Sequence, residues 1–326
     1  MKLWKRLLPL TLAAALLAGC SQTAGREENI FIDQFCLEEV EIEAEAVALA
    51  AAPALSTLLT PVASGTKVEK NAKVTIDYSN ITDGYVMVNY TAATDKRLKV
   101  KLVSPSSANE YYQYNLTPNT WTTFPLSDGN GEYKVSVLES TDKEGRYAVV
   151  ASVTFQVTLK DEFAPFLRPN QYVDYAPAAN TLAKAKELVG SETDTLKKVQ
   201  LVYDFVVKNV TYDTEKAASV QSGYLPVLDT VLATGKGICF DYAALMVGML
   251  RSQNVPCKLV VGYAGTQYHA WVSVWTAEDG WIDGVIYFDG TTWQRMDPTF
   301  ASGSNSSQAI LQYIGDGSNY TAKYFY

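Results

Sequence analysis

The 326-residue chain has a single histidine, His269, and only four cysteines, Cys20, Cys36, Cys239 and Cys257. One imidazole leaves little from which to build a zinc centre, which usually draws His and Cys ligands from several positions. No metal and no cofactor is therefore expected. Four widely spaced cysteines are too few for a disulfide-dense scaffold. Basic residues are also in deficit, 27 Lys and Arg against 35 Asp and Glu, for a net charge of −8. An acidic chain without a basic stripe is repelled by phosphate backbones, so nucleic acid is not an expected partner. What is plentiful is apolar: 48% of residues, against 19% charged, enough to bury real cores and to exclude a wholly disordered chain.

The first twenty residues read as an address. Lys2, Lys5 and Arg6 come first, then an apolar run from Leu7 to Leu17, then small residues. This is the layout of an export signal, and the run falls short of the roughly 20 residues of a spanning helix. Leu17-Ala18-Gly19-Cys20 resembles a bacterial lipobox, which implies cleavage before Cys20 and a diacylglycerol thioether on its sulfur. Acyl chains would then hold the protein at the extracytoplasmic face of the membrane. Residues 21–65 change character: Glu38, Glu39, Glu41, Glu43 and Glu45 sit among small apolar residues, ahead of Ala50-Ala51-Ala52-Pro53. The composition suits a tether. A short helix over part of 37–52 is compatible with it, and Cys36 fits either a free thiol or a disulfide partner.

Over 66–160 the signal is period two. Alternation runs through Lys73–Tyr78, Gly84–Tyr90, Leu98–Val103, Glu132–Leu138 and Tyr147–Leu159, with turn clusters at Thr82-Asp83-Gly84, Ser104–Ser107 and Asp128–Gly131. Short strands at this spacing predict an all-β sandwich of immunoglobulin-like type. Nothing catalytic stands out there, which suits a spacer or binding module.

Over 161–326 the pattern turns mixed. Helices are predicted at Pro177–Leu188 and Thr195–Val210, the second with Val199, Val202, Phe205 and Val206 on one face and Asp194 as its cap. The segment Gly235–Arg251 is the most informative: glycines, then Cys239, then an amphipathic helix. Cys239 is placed at a helix N-terminus, where positive partial charge and free N–H groups favour an anionic nucleophile. The same N–H groups suit an oxyanion. A strand from Cys257 to Tyr263 follows, then one at Tyr268–Trp275 bearing His269. Trp281 to Phe288 is expected to continue the sheet and Trp293–Thr299 to close it. If the strands carrying His269 and Asp297 are neighbours, the carboxylate can hold the imidazole and the imidazole can face the thiol.

Gly237-x-Cys239, the helix ending near Leu250-Arg251, Val255-Pro256, Gly262-Tyr263, His269-Ala270-Trp271 and Asp297-Pro298-Thr299 together resemble the bacterial transglutaminase-like family, over roughly Thr195 to Phe300. The resemblance implies a papain-like α+β core with Cys239 as nucleophile, His269 as base and acid, and Asp297 as orienter. It implies acyl transfer from peptide or protein amides through a thioester, to an amine or to water. There is one departure. Animal members place a Trp upstream of the nucleophile as an oxyanion donor, and no Trp lies between Trp121 and Trp271. Tyr203 or Tyr212 could take that place, while Tyr263 and Trp271 are candidates for the substrate cleft.

Each of these residues also has a plainer role. Cys257 reads as packing at a strand start, Trp271, Trp275 and Trp281 as core or cleft wall, and Tyr263 as core. Asp241 reads as a first-turn acid complementing the helix dipole. The expected whole is an exported, lipid-anchored cysteine enzyme. The alternative is a surface binding module whose transglutaminase-like scaffold has lost its chemistry, although such a scaffold has no reason to keep Cys, His and Asp at these places.

Overall fold

Alternating sequence folds as alternation demands. The strands β1 (Val68–Lys70), β2 (Val74–Asp77), β3 (Tyr85–Tyr90), β4 (Leu98–Val103), β5 (Tyr112–Asn115), β6 (Thr122–Pro125), β7 (Gly131–Ser140) and β8 (Tyr147–Val157) make two antiparallel sheets. Their orders are β1-β2-β3-β6 and β5-β4-β7-β8. Successive side chains of a strand point to opposite faces, and the inward set, including Val74, Ile76, Val86, Val88, Val100, Leu102, Val135 and Val137, is buried in one core. The Tyr114 and Phe124 rings meet across the sheets at 4.8 Å. This computed structural model describes residues 58–106, 111–278, 280–283, 286–288, 293–295 and 320–326. Cys20, Cys36, Asp297, the export signal and the 37–52 segment lie outside them.

The remainder mixes helices and strands. In chain order they are α1 (Ala179–Val189), α2 (Thr195–Asn209), β9 (Thr211–Tyr212), α3 (Thr214–Ser219), α4 (Leu228–Thr234), β10 (Lys236–Gly237), α5 (Cys239–Ser252), β11 (Cys257–Ala264), β12 (Gln267–Thr276), β13 (Gly280–Asp283), β14 (Ile286–Phe288), β15 (Trp293–Arg295) and β16 (Tyr320–Phe325). The Asp194 side chain accepts from the Lys197 N–H at 3.0 Å, so it caps α2 as expected. The sheet differs from expectation at its margins. Its order is β13-β12-β11-β16, while among the described residues β14 and β15 pair only with each other. The neighbours of the histidine strand β12 are thus β11 and β13, and the far edge is closed by β16, from the last residues of the chain.

Helix α5 also departs from its amphipathic reading. Every residue of it is buried. It is packed against α1, α2 and α4 as well as against β11 and β12, and a helix enclosed on all sides needs apolar residues on all sides. Among the described residues no helix is long and apolar enough to cross a membrane.

The two regions share a seam. Gly84 has φ 83°, and a Cβ there would lie 2.6 Å from Pro165 Cγ, so only glycine satisfies both turn and contact. Gln171 Nε2 donates to the Asn115 carbonyl at 2.7 Å. The rings of Tyr112 and Tyr114 from β5 pack edge-on against Tyr326 at 5.7 and 5.8 Å.

Candidate active site

Two short strands set the position of Cys239. β9 and β10 pair in parallel, with Tyr212 opposite Gly237. The ladder ends with the Asp213 N–H donating to the Gly237 carbonyl at 2.9 Å. The chain then turns at Ile238, the N-cap of α5, and Cys239 is the first helical residue. It is a free thiol, 8% exposed. The unsatisfied N–H groups of a helix start surround such a position.

Asp241 holds this turn in place. Its carboxylate has no solvent exposure and accepts from the Ile238 N–H at 2.8 Å and the Lys216 ammonium at 2.9 Å. A third, short bond comes from the Tyr224 hydroxyl. Lys216 also donates to the Tyr224 oxygen and lies 4.1 Å from its ring centroid. Burial, and then the Asp241 charge, push the Tyr224 hydroxyl well above the usual tyrosine range. A Cβ on Gly237 would come within 2.5 Å of Asp241 Cβ, so the glycine lets this network close. From the sequence Asp241 reads as a dipole partner alone. It does occupy the first helical turn, but it is also the hub joining α3, the 221–227 segment and the start of α5. Lys216 and Tyr224 lie 25 and 17 residues away, so no local spacing announced the hub.

His269 lies on β12, opposite Gly262 of β11, and is 6% exposed. Its ring centroid is 6.3 Å from that of Trp271 and 6.3 Å from that of Tyr320. Trp271, 3% exposed, meets Tyr320 edge-on at 5.2 Å. The structure places Cys239 and His269 on elements packed directly together, α5 and β12. Their chain neighbours Phe240 and Tyr268 line one cleft, with Tyr172, Tyr224, Leu225 and Val261. The space it encloses is about 30 Å³, room for a water or two.

The other candidates fall around this centre. Tyr212 is 37% exposed beside Gly237. Tyr263 packs edge-on against Tyr268 at 5.3 Å, with Lys323 Nζ 5.4 Å from its ring. Tyr203 is buried on α2. Trp275 and Trp281 are packing residues: Phe163 lies 4.4 and 6.1 Å from them, and Lys258 Nζ 3.7 Å from the Trp281 ring. Cys257 is wholly enclosed, and burial pushes its thiol up to about 12 against the opposing pull of Arg251. Among the described residues no cluster of three His, Cys, Asp or Glu could hold a metal ion.

Similarity to known proteins points the same way. Residues 182–298 match the model of the transglutaminase-like superfamily. A stretch of 109 residues is 28% identical to a protein-glutamine gamma-glutamyltransferase of Pseudomonas aeruginosa, covering 29% of this chain and 14% of that one. Another, of 117 residues, is 27% identical to the uncharacterized protein YebA of Bacillus subtilis, covering 30% of this chain and 16% of that one. The chain thus matches about a sixth or less of each curated relative's length. Among solved structures, a candidate cysteine protease from Cytophaga hutchinsonii is 17% identical with a TM-score of 0.34, covering 72% of this chain and 69% of that one. Cys239 and the histidine strand both fall inside the matched span, and residues 182–298 are accordingly a transglutaminase-like domain.

Proposed function

We propose that the protein is a cysteine acyl-transfer enzyme acting on peptide or protein amides. The observation that carries the reading is the placement of Cys239 as the first residue of a buried helix packed against the strand that bears the chain's one histidine. In this reading His269 takes the Cys239 proton as the sulfur attacks the amide carbonyl carbon. The backbone N–H at the helix start stabilises the resulting oxyanion. Collapse breaks the C–N bond, the imidazolium returns the proton to the departing nitrogen, and a thioester remains. Water or an amine then attacks that thioester, releasing acid or a new amide and restoring the thiol. Asp297 is assigned the task of holding the imidazole. The match to a protein-glutamine gamma-glutamyltransferase supports glutamine-type carboxamides among the acyl donors.

The proposal extends to the whole chain. Residues 66–160 form an immunoglobulin-like sandwich, a reading supported by two four-stranded antiparallel sheets over one core. Cys20 carries the lipid that keeps the enzyme at the extracytoplasmic face of the cell membrane, and residues 21–65 are the tether.

The test is a panel of peptides offered with and without an added primary amine, scoring hydrolysis against transfer for the native protein and for Cys239→Ala. Turnover that disappears in Cys239→Ala supports the reading. Turnover that persists in that variant, or a Cys239 alkylated no faster than Cys257, defeats it. Chelator should leave the rate unchanged.

A further inference from the structure

The histidine strand shares a face of its sheet with the last strand of the chain. Directly paired residues of neighbouring strands point the same way, as do residues two apart along one strand. His269 is opposite Gly262, Gly262 is opposite Ala322, and Ala264 is opposite Tyr320. Trp271 lies two residues beyond His269 on β12. One face of the sheet therefore carries His269 and Trp271 on one strand and Tyr320 two strands away. Between them β11 presents Gly262 and Ala264, which have almost no side chain.

Those small residues give the rings room to meet. A Cβ on Gly262 would lie 2.9 Å from Trp271 Cη2 and 2.1 Å from the Thr321 carbonyl oxygen. The tip of the indole thus lies over Gly262, toward β16, where Tyr320 meets it edge-on at 5.2 Å and 83°. The imidazole completes the group. Its plane is 19° from that of Trp271 and 64° from that of Tyr320, with each centroid 6.3 Å away. Interacting aromatic pairs lie about 4.5–7 Å apart, so each of the three rings is within contact range of the other two. The imidazole cannot swing toward β16 without displacing Tyr320. That tyrosine lies outside residues 182–298, the span matching the transglutaminase-like model.

We propose that Tyr320 is a positioning residue for His269: its ring, together with Trp271, holds the imidazole in the orientation that serves Cys239. This role rests on the proposed acyl-transfer reading and adds a second brace to the one assigned to Asp297. The ring carries it, since both contacts are ring contacts.

The test reads alkylation of Cys239 by iodoacetamide at pH 7 in the full chain, located by mass spectrometry. An ordinary thiol, with a pKa of about 8.5, is mostly protonated at that pH. A well-placed imidazole speeds labelling, and His269→Ala sets the size of that gain. Tyr320→Ala should lose most of it, a slowing on the order of tenfold, while Tyr320→Phe should stay within about twofold of the native rate. Tyr320→Leu, which keeps apolar bulk on the strand, is scored the same way if the alanine variant does not fold. Phe325→Leu weakens the same strand through a ring that faces Lys258 Nζ at 5.1 Å, and should label at the native rate. A spectroscopic readout accompanies the rates. With one histidine in the chain, isotope-labelled histidine gives a single set of imidazole signals. Loss of the Tyr320 ring should move them, while Tyr320→Phe and Phe325→Leu should leave them near their native positions.

Native labelling rates in Tyr320→Ala or Tyr320→Leu, where His269→Ala is slow, would overturn the positioning role and leave the acyl-transfer reading standing. Equal slowing by Tyr320→Phe or by Phe325→Leu would do the same, as would imidazole signals that ignore the loss of the ring. A His269→Ala variant that labels as fast as the native protein would overturn the reading, and the role of Tyr320 with it.

Discussion

Asp241 offers the sharpest test of how the candidate site is held. In Asp241→Ala the Ile238 N–H is left buried without its acceptor, at about 1–3 kcal/mol. The Tyr224 hydroxyl loses a charged partner, worth about 1.5–3 kcal/mol. Lys216 loses its counter-ion, but its side chain is 27% exposed and can turn to water, so its share is small. These terms overlap, because Lys216 can still reach the Tyr224 oxygen, and the net loss is on the order of 3 kcal/mol. For a domain of about 150 residues that lowers Tm by roughly 6–12 °C. Asp241→Asn keeps the volume and one acceptor and should lose about half as much. Because Ile238 directly precedes Cys239, freeing its N–H also loosens the nucleophile. A displacement near 1 Å at a reacting atom costs about a hundredfold in rate, so Cys239-dependent turnover should fall at least about tenfold in the alanine variant. Thermal unfolding followed by tryptophan fluorescence, together with turnover, reads both effects. A Tm within about 2 °C of the native value and unchanged turnover would refute the account of the hub.

Three further outcomes are expected. Cys257 should resist alkylation at pH 8 in the folded protein and react only after guanidinium unfolding, since burial holds its thiol near about 12; peptide mapping after brief iodoacetamide treatment checks this. In the β region, Glu139 accepts from Lys73 at 2.9 and 3.0 Å and from the Tyr90 hydroxyl, and these bonds hold its carboxyl below the usual glutamate range. A depressed folded pKa stabilises above the unfolded value, and that stability is lost as pH falls through the folded one. Urea unfolding at neutral pH and at about pH 3.5 should thus show a larger acid loss in the native protein than in Glu139→Gln. Arg251→Met should cost about 3–5 kcal/mol, because the buried guanidinium serves the Cys257, Arg168 and Tyr326 carbonyls, at 2.7–3.0, 2.8 and 2.6 Å; a urea-midpoint shift below that of a typical surface substitution would contradict it.

Much of this was legible along the chain, and the exceptions share a cause. The strands at Tyr85–Tyr90, Leu98–Val103, Gly131–Ser140 and Tyr147–Val157 are long enough for alternation to show. Tyr112–Asn115 and Thr122–Pro125 are four residues each, and Gln113 is buried within the first, so period two has too little room to register. The helices at Thr214–Ser219 and Leu228–Thr234 span six and seven residues, under two turns, and give no 3.6-residue stripe. The start of α5 was legible because its signals are local: glycines, a cysteine and a long apolar run. The pairing of β11 with β16 was not, since Val261 and Tyr324 meet across more than sixty residues. The cleft was hidden for the same reason, as its walls come from β5, the 171–172 segment, the 223–225 segment, α5 and the sheet.

The two ends of α5 are anchored by different chemistry, and that separates stability from reactivity. Its first turn is held by the Asp241 carboxylate and its last by the Arg251 guanidinium. A helix of fourteen residues spans about 20 Å, so the second anchor lies far from the sulfur. Removing either should unfold the protein more easily, since each leaves buried polar groups unpaired. Only the first anchor touches the turn that delivers Cys239. At temperatures where both variants remain folded, Arg251→Met should keep the native rate of Cys239 labelling while Asp241→Ala should not. Were both variants to slow labelling equally, the helix would be moving as one rigid body against the sheet. The position of the thiol would then depend on the packing of α5 as a whole, and the Asp241 hub would lose its special standing.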